Sequence, residues 1–68
     1  MDTRSYTAER LIRIDEVKHI CGLSRSSIYA SIQRGEFPAQ VKLSHKASAW
    51  LYSEILAWVN ERVALRHG

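Results

Sequence analysis

The chain has 68 residues, an apolar share of 46% and a net charge of +3, which indicates one small folded domain rather than a disordered tail. A chain this short has no room for a substrate cleft, and no nucleophile–base pair is visible, so we do not expect an enzyme. A sequence pI near 9.4 suits a nucleic-acid partner, although ribosomal and membrane-surface proteins share such a balance.

The N-terminal third is predicted to contain an arm, a short β-prone stretch and a helix. Residues 1–9 have no apolar periodicity, so we expect a flexible arm in front of a domain at residues 10–66. Residues 11–14 (LIRI) are β-prone, and Asp15 is the expected N-cap of the helix that follows. The apolar face of this helix has i, i+3, i+4 spacing and consists of Val17, Ile20 and Cys21.

A second helix follows after a very short turn. Gly22 stands where the first helix needs a left-handed residue to end, and Ser24 can cap the next helix. Ile28 and Ile32 form the inward face of that helix, which Gly35 terminates. Two helices joined by a short glycine-containing turn predict a helix-turn-helix, whose second helix enters the DNA major groove.

The second half of the chain predicts a hairpin and a final helix. Residues 41–43 and 47–50 alternate with period two around a polar tip at 44–46, which indicates a small β-hairpin. An amphipathic helix follows, with Ser53 as its expected cap. Its inward face is predicted to consist of Ile55, Trp58, Val59, Arg62 and Val63. The predicted fold is therefore mainly α with a small β-hairpin, a winged helix-turn-helix, with Trp50, Trp58 and Cys21 in its core.

The start of the second helix and the hairpin are the predicted DNA-binding surface. A capped helix N-terminus favours phosphate, and the guanidinium of Arg25 can grip a phosphate or a guanine edge. Short hydroxyl side chains permit close approach, and cations on the wing lie where a neighbouring backbone would pass. The predicted DNA-binding residues are Ser24, Arg25, Ser26, Ser27, Tyr29, Gln33, Arg34, Lys42, His45 and Lys46.

Each of these residues has an ordinary structural alternative. Ser24 can serve as a cap alone, and Arg25 can be a solvated surface charge. Tyr29 can be buried in the core or can contact DNA, and His45 and Lys46 can be ordinary solvent-exposed residues of a turn. No metal site or cofactor is expected, because one cysteine and three scattered histidines provide no ligand spacing.

Four sequence blocks in this order resemble the AlpA family of phage-type regulators, small proteins related to excisionases and to MerR-like winged helices. The blocks are residues 22–26 (GLSRS), 35–38 (GEFP), 41–43 (VKL) and 50–58 (WLYSEILAW). The resemblance covers about residues 10–62. It implies a transcriptional regulator of a mobile element such as a prophage, or a recombination directionality factor (excisionase) that assists an integrase. It also implies that the GLSRS helix enters the major groove and that the wing reaches the minor groove.

Carried over residue by residue, the resemblance points to contacts by Arg25, Ser26, Ser27 and Tyr29, with Lys46 where the family often has arginine. Two departures suggest an altered sequence preference or a weaker monomer affinity. Ala30 stands where the family commonly has a basic residue, and it offers only a methyl group. The wing, residues 44–48 (SHKAS), is also poor in arginine.

Sequence-specific binding to double-stranded DNA is the leading functional hypothesis. The expected partners are DNA together with an integrase or RNA polymerase, and self-association on DNA would raise the affinity of so small a domain. The alternative is a protein-interaction module, an antirepressor or integrase partner, that keeps the fold without touching DNA. We expect a cytoplasmic, nucleoid-associated bacterial protein without a membrane segment, since residues 55–59 are the longest wholly apolar run.

Overall fold

Three helices and a three-stranded antiparallel sheet make up the protein. The computed structural model describes residues 9–66. Its elements are, in chain order, β1 (Leu11–Ile12), α1 (Ile14–Cys21), α2 (Arg25–Gln33), β2 (Val41–Ser44), β3 (Ala47–Leu51) and α3 (Tyr52–Leu65). The predicted winged helix-turn-helix is confirmed: α1 and α2 are the helix pair, and β2 with β3 forms the wing.

The predicted N-terminal arm falls almost wholly outside the described residues. Residues 1–8 are not described. Glu9 is described, and its Oε1 accepts a hydrogen bond of 3.1 Å from the hydroxyl of Ser53. The Ser53 hydroxyl is therefore directed to the segment preceding β1.

The turn between α1 and α2 has the predicted caps. Gly22 has a φ of 70°, in the left-handed region that favours glycine, and its N–H donates to the carbonyl of Lys18 at 2.8 Å. The Oγ of Ser24 accepts a hydrogen bond from the N–H of Ser27 at 3.1 Å. Both ends of the turn are thus determined by local chemistry that the sequence displays.

The two other predicted caps are wrong. Helix α1 begins two residues earlier than expected, with Arg13 at the N-cap, so Asp15 lies in the first turn, where its charge still favours the positive end of the helix dipole. Helix α3 begins at Tyr52 with Leu51 at the N-cap and no side-chain cap. Ser53 is already inside that helix, because β3 runs directly into it.

The sheet has one more strand than the predicted hairpin. β3 is its central strand and pairs with β2 on one side and β1 on the other, all antiparallel. Ile12 faces Trp50 across the β1–β3 pair. The β-prone stretch predicted at residues 11–14 forms a strand over Leu11–Ile12, but its pairing with β3 was not predicted, because nothing within the stretch identifies its partner. The register of β2 is interrupted between Lys42 and Ser44, beside the tip of the wing.

The core lies between the sheet and the three helices. Its buried members come from β1, β3, the three helices and the loop after α2, and are Ile12, Val17, Ile28, Phe37, Trp50 and Ile55. Trp50 is fully buried, as predicted, whereas Trp58 and Cys21 are only partly buried at the edge of this cluster. Partial burial of Cys21 still raises the pKa of its thiol, because desolvation disfavours the thiolate.

Only the first half of α3 packs as its periodicity predicts. Ile55 is fully buried, and Trp58 and Val59 are half-buried. Arg62 is exposed, and Val63 is 46% exposed. The domain is too small to cover the last turns of a 14-residue helix, so the predicted apolar face extends beyond the core.

Candidate nucleic-acid interface

A positively charged groove lies between the helix-turn-helix and the wing. It has a volume of about 330 Å³ and combines residues from α1, α2 and both wing strands. Its basic lining residues are Arg13, Arg25, Lys42, His45 and Lys46. No aspartate or glutamate of the described residues lines it. We call it the basic groove.

A stack of side chains built on the core positions Arg25. Trp50 is fully buried in β3, and the ring of Tyr29 meets it edge-on with centroids 6.1 Å apart. The guanidinium carbon of Arg25 lies 5.6 Å from the centroid of the Tyr29 ring, within the range of a cation–π contact. The half-buried Tyr29 packs on the core, which is one of the two roles considered for it, and its ring also supports the cation at the start of α2. Its contact with DNA stays a prediction.

The wing contributes the other wall of the groove. Lys42 in β2 pairs with Ser48 in β3, and His45 with Lys46 forms the turn between the strands. The N–H of Lys46 lies 3.4 Å from the hydroxyl oxygen of Ser44, which accepts its hydrogen bond. Three side chains from the predicted wing therefore face the same space as Arg25.

Arg13 is a further member of the groove that is absent from the residues predicted on sequence. Its Nε donates a hydrogen bond of 3.0 Å to the carbonyl of Ser48, joining the start of α1 to the wing. Its side chain lines the groove beside Arg25. The alternation of the LIRI stretch marks Arg13 only as an exposed strand residue, so the sequence contains no signal that brings it to the wing.

Five of the predicted DNA-binding residues do not line the basic groove. They are Ser24, Ser26, Ser27, Gln33 and Arg34. The hydroxyl of Ser24 caps α2 and donates to the Oγ of Ser27 at 3.0 Å, so Ser24 serves as a cap in this geometry. Arg34 donates to a carboxylate oxygen of Glu36 at 3.0 Å and to the hydroxyl of Ser31 at 3.2 Å. Two further side chains are exposed on α2, Ser26 and Gln33.

Comparison with known proteins agrees with this architecture. The family described as "Prophage CP4-57 regulatory protein (AlpA)" matches residues 10–63, most of the chain. The chain belongs to the AlpA family. It is also similar to a protein of Enterobacteria phage P4, named "Uncharacterized protein ORF88", with 57% identity over 60 residues that span 88% of this chain and 68% of the phage protein.

The AlpA match spans the entire helix-turn-helix, the wing and most of α3. The AlpA family is one of phage regulatory proteins, which agrees with a small domain that displays a concentrated positive surface. Within residues 9–66, no helix is long and apolar enough to cross a membrane. The same part of the chain contains no group of three His, Cys, Asp or Glu side chains able to hold a metal ion.

Proposed function

We propose that this protein is a sequence-specific DNA-binding regulator of a mobile element. The observation that carries the proposal is the basic groove, in which two arginines, two lysines and one histidine converge without an acidic neighbour among the lining residues. Phosphate contacts supply most of the affinity of a DNA-binding domain, and they need this concentration of lysine and arginine.

Sequence reading is assigned to the exposed side of α2. Arg25 at the first position of the helix is held over Tyr29, so its planar fork loses little freedom on meeting a guanine edge. Ser26 and Ser27 are exposed beside it and short enough to allow close approach. Arg13 and the wing residues Lys42 and Lys46 would neutralise phosphates on either side of that contact.

A salt-titrated binding assay tests the proposal. Fluorescence anisotropy would compare a labelled duplex from the protein's own regulatory or attachment region with a duplex of scrambled sequence. If four cations each neutralise one phosphate, the logarithm of affinity should fall with the logarithm of salt concentration with a slope of about −3.6. Binding that ignores salt, or that fails to prefer the native duplex, would show that DNA is not the specific ligand and would favour the interaction-module alternative.

Two forms of this function differ in the DNA that they occupy. A transcriptional regulator acts at a promoter beside RNA polymerase, whereas a recombination directionality factor acts at an attachment site beside an integrase. Footprinting across the native locus separates them, because protection confined to promoter DNA contradicts the recombination role. Either form places the protein with the bacterial nucleoid in the cytoplasm, and a repeated footprint would reveal self-association on DNA.

A further inference from the structure

A second groove of about 440 Å³, the acidic groove, shares no lining residue with the basic groove. It lies between the loop that follows α2 and the outer side of α3. The side chains that give it its character are Glu36, Phe37, Glu54, Ala57, Trp58 and Glu61. Three of the seven acidic residues of the chain therefore line one groove, which no lysine or arginine of the described residues joins.

The floor of the acidic groove is aromatic and held in place. The ring of Phe37 meets that of Trp58 edge-on with centroids 4.9 Å apart. The indole N–H of Trp58 donates to the carbonyl of Glu36 at 3.0 Å. This polar atom is therefore satisfied within the protein. The guanidinium carbon of Arg62 lies 5.0 Å from the centroid of the Trp58 ring, although Arg62 does not line the groove, so an entering stem would contact the part of the ring that lines the groove with Phe37. Ala57 adds only a methyl group and leaves space beside the ring.

Two of the three carboxylates at the rim have no side-chain partner among the described residues. Glu36 forms an ion pair with Arg34 at 3.0 Å, but the side-chain carboxylates of Glu54 and Glu61 form no hydrogen bond or ion pair within residues 9–66. Glu54 and Glu61 are seven residues apart on α3, so they lie on one face about 10 Å from each other. Leu65 continues that face and is 60% exposed.

We propose that the acidic groove docks a basic segment of a protein partner, with a lysine or arginine stem on the Trp58–Phe37 floor and its charge between Glu54 and Glu61. Lysine and arginine combine an apolar stem with a charged head, which matches this floor and rim. DNA is excluded because its phosphates would meet three carboxylates, and a purely apolar segment would desolvate those carboxylates without pairing them. The proposal does not depend on DNA binding.

An NMR titration of the ¹⁵N-labelled protein tests the docking. The probe is a synthetic peptide that alternates lysine with leucine, and the control peptide has glutamate in place of lysine. The lysine peptide should shift the indole N–H of Trp58, whereas the backbone N–H of Lys46, in the turn of the wing and outside the acidic groove, should stay in place. The proposal is overturned if the lysine peptide does not bind, if the glutamate peptide binds equally, or if the shifts avoid the groove.

Matched variants separate docking from general charge attraction. Glu54→Gln with Glu61→Gln should weaken the lysine peptide roughly tenfold, about two- to fivefold for each exposed carboxylate. Asp15→Asn with Glu16→Gln makes the same charge change on α1, outside the groove, and should change affinity less than twofold or so. Equal weakening by the two pairs would reduce the interaction to net charge and overturn the site.

DNA affinity, measured separately without peptide, keeps this proposal distinct from the proposed function. Both paired variants should bind native duplex DNA equally well, since neither touches the basic groove. If both paired variants lose peptide binding but still bind DNA, the docking proposal is refuted and the DNA proposal is not. Failure of the unmodified protein to bind DNA, with peptide binding intact, would refute the DNA proposal alone.

Discussion

The basic groove and the acidic groove are built alike and charged oppositely. Each rests on an indole whose N–H donates to a carbonyl of the loop after α2, Trp50 to Pro38 and Trp58 to Glu36. Each indole meets a second aromatic ring edge-on, Tyr29 in one case and Phe37 in the other. The rims differ: arginine, lysine and histidine surround the first, and glutamate surrounds the second.

This contrast teaches that net charge is a poor guide to the surface of so small a protein. A chain with a charge of +3 concentrates cations in one groove and anions in another, so each groove selects a different class of partner. The aromatic floor provides rigid, apolar contact area in both grooves, and the charge of the rim residues decides which class of partner can bind there. The following predictions test whether the two grooves are as independent as their linings suggest.

The largest contrast should come from truncating the two indoles. Trp50→Ala should cost about 3–5 kcal/mol of folding free energy, because Trp50 is fully buried. Trp58→Ala should cost less, about 2 kcal/mol, because its ring is partly exposed. Urea unfolding monitored by circular dichroism measures both. Equal losses would mean that Trp58 is as central to the core as the sequence periodicity indicates.

The next contrast concerns the charges nearest to DNA. Arg25→Ala should weaken binding to the native duplex by about 1–3 kcal/mol if its guanidinium reads a base, and leave folding intact because Arg25 is exposed. Glu61→Gln in the other groove serves as the control and should not weaken DNA binding. Anisotropy titration measures the DNA affinity of both folded variants. Unchanged affinity of Arg25→Ala would show that Arg25 does not read a base.

Arg13 should behave as a phosphate contact rather than as a reader of bases. Arg13→Ala should weaken native and scrambled duplexes equally, by roughly 1 kcal/mol, and should make the salt slope shallower by about 1. The pair of duplexes from the binding assay provides the measurement. A loss confined to the native duplex would instead show that the start of α1 contributes to sequence preference.

The smallest contrast concerns two serines near helix starts. Ser24→Ala should lower the free energy of unfolding by about 0.5–1 kcal/mol, because its Oγ accepts a hydrogen bond from the N–H of Ser27. Ser53→Ala should change it by less than about 0.5 kcal/mol, since the Ser53 hydroxyl bonds only to the exposed Glu9 within residues 9–66 and does not cap α3. Thermal unfolding of the two variants side by side checks this, and a larger loss for Ser53 would reverse the assignment.

Local chemistry explains why the helix-turn-helix is readable from the sequence. Gly22 must adopt a left-handed conformation, Ser24 caps through a partner three residues away, and Ile28 packs inward at a helical period. Each signal acts within a few residues. The starts of α1 and α3 have no such local signal. There the predicted caps, Asp15 and Ser53, lie two residues after the observed N-caps and already inside the helices.

The sequence by itself determined the helix pair, the wing and the candidate DNA-reading residues at the start of α2, because their caps, turns and periods are local. Tertiary structure alone decided the pairing of β1 with β3, the place of Arg13 at the wing and the division of charge between two grooves. Those features depend on contacts between distant segments, such as β1 with β3 and the nitrogen of Arg13 with the carbonyl of Ser48. A pattern in one segment cannot specify which surface of another segment it will meet.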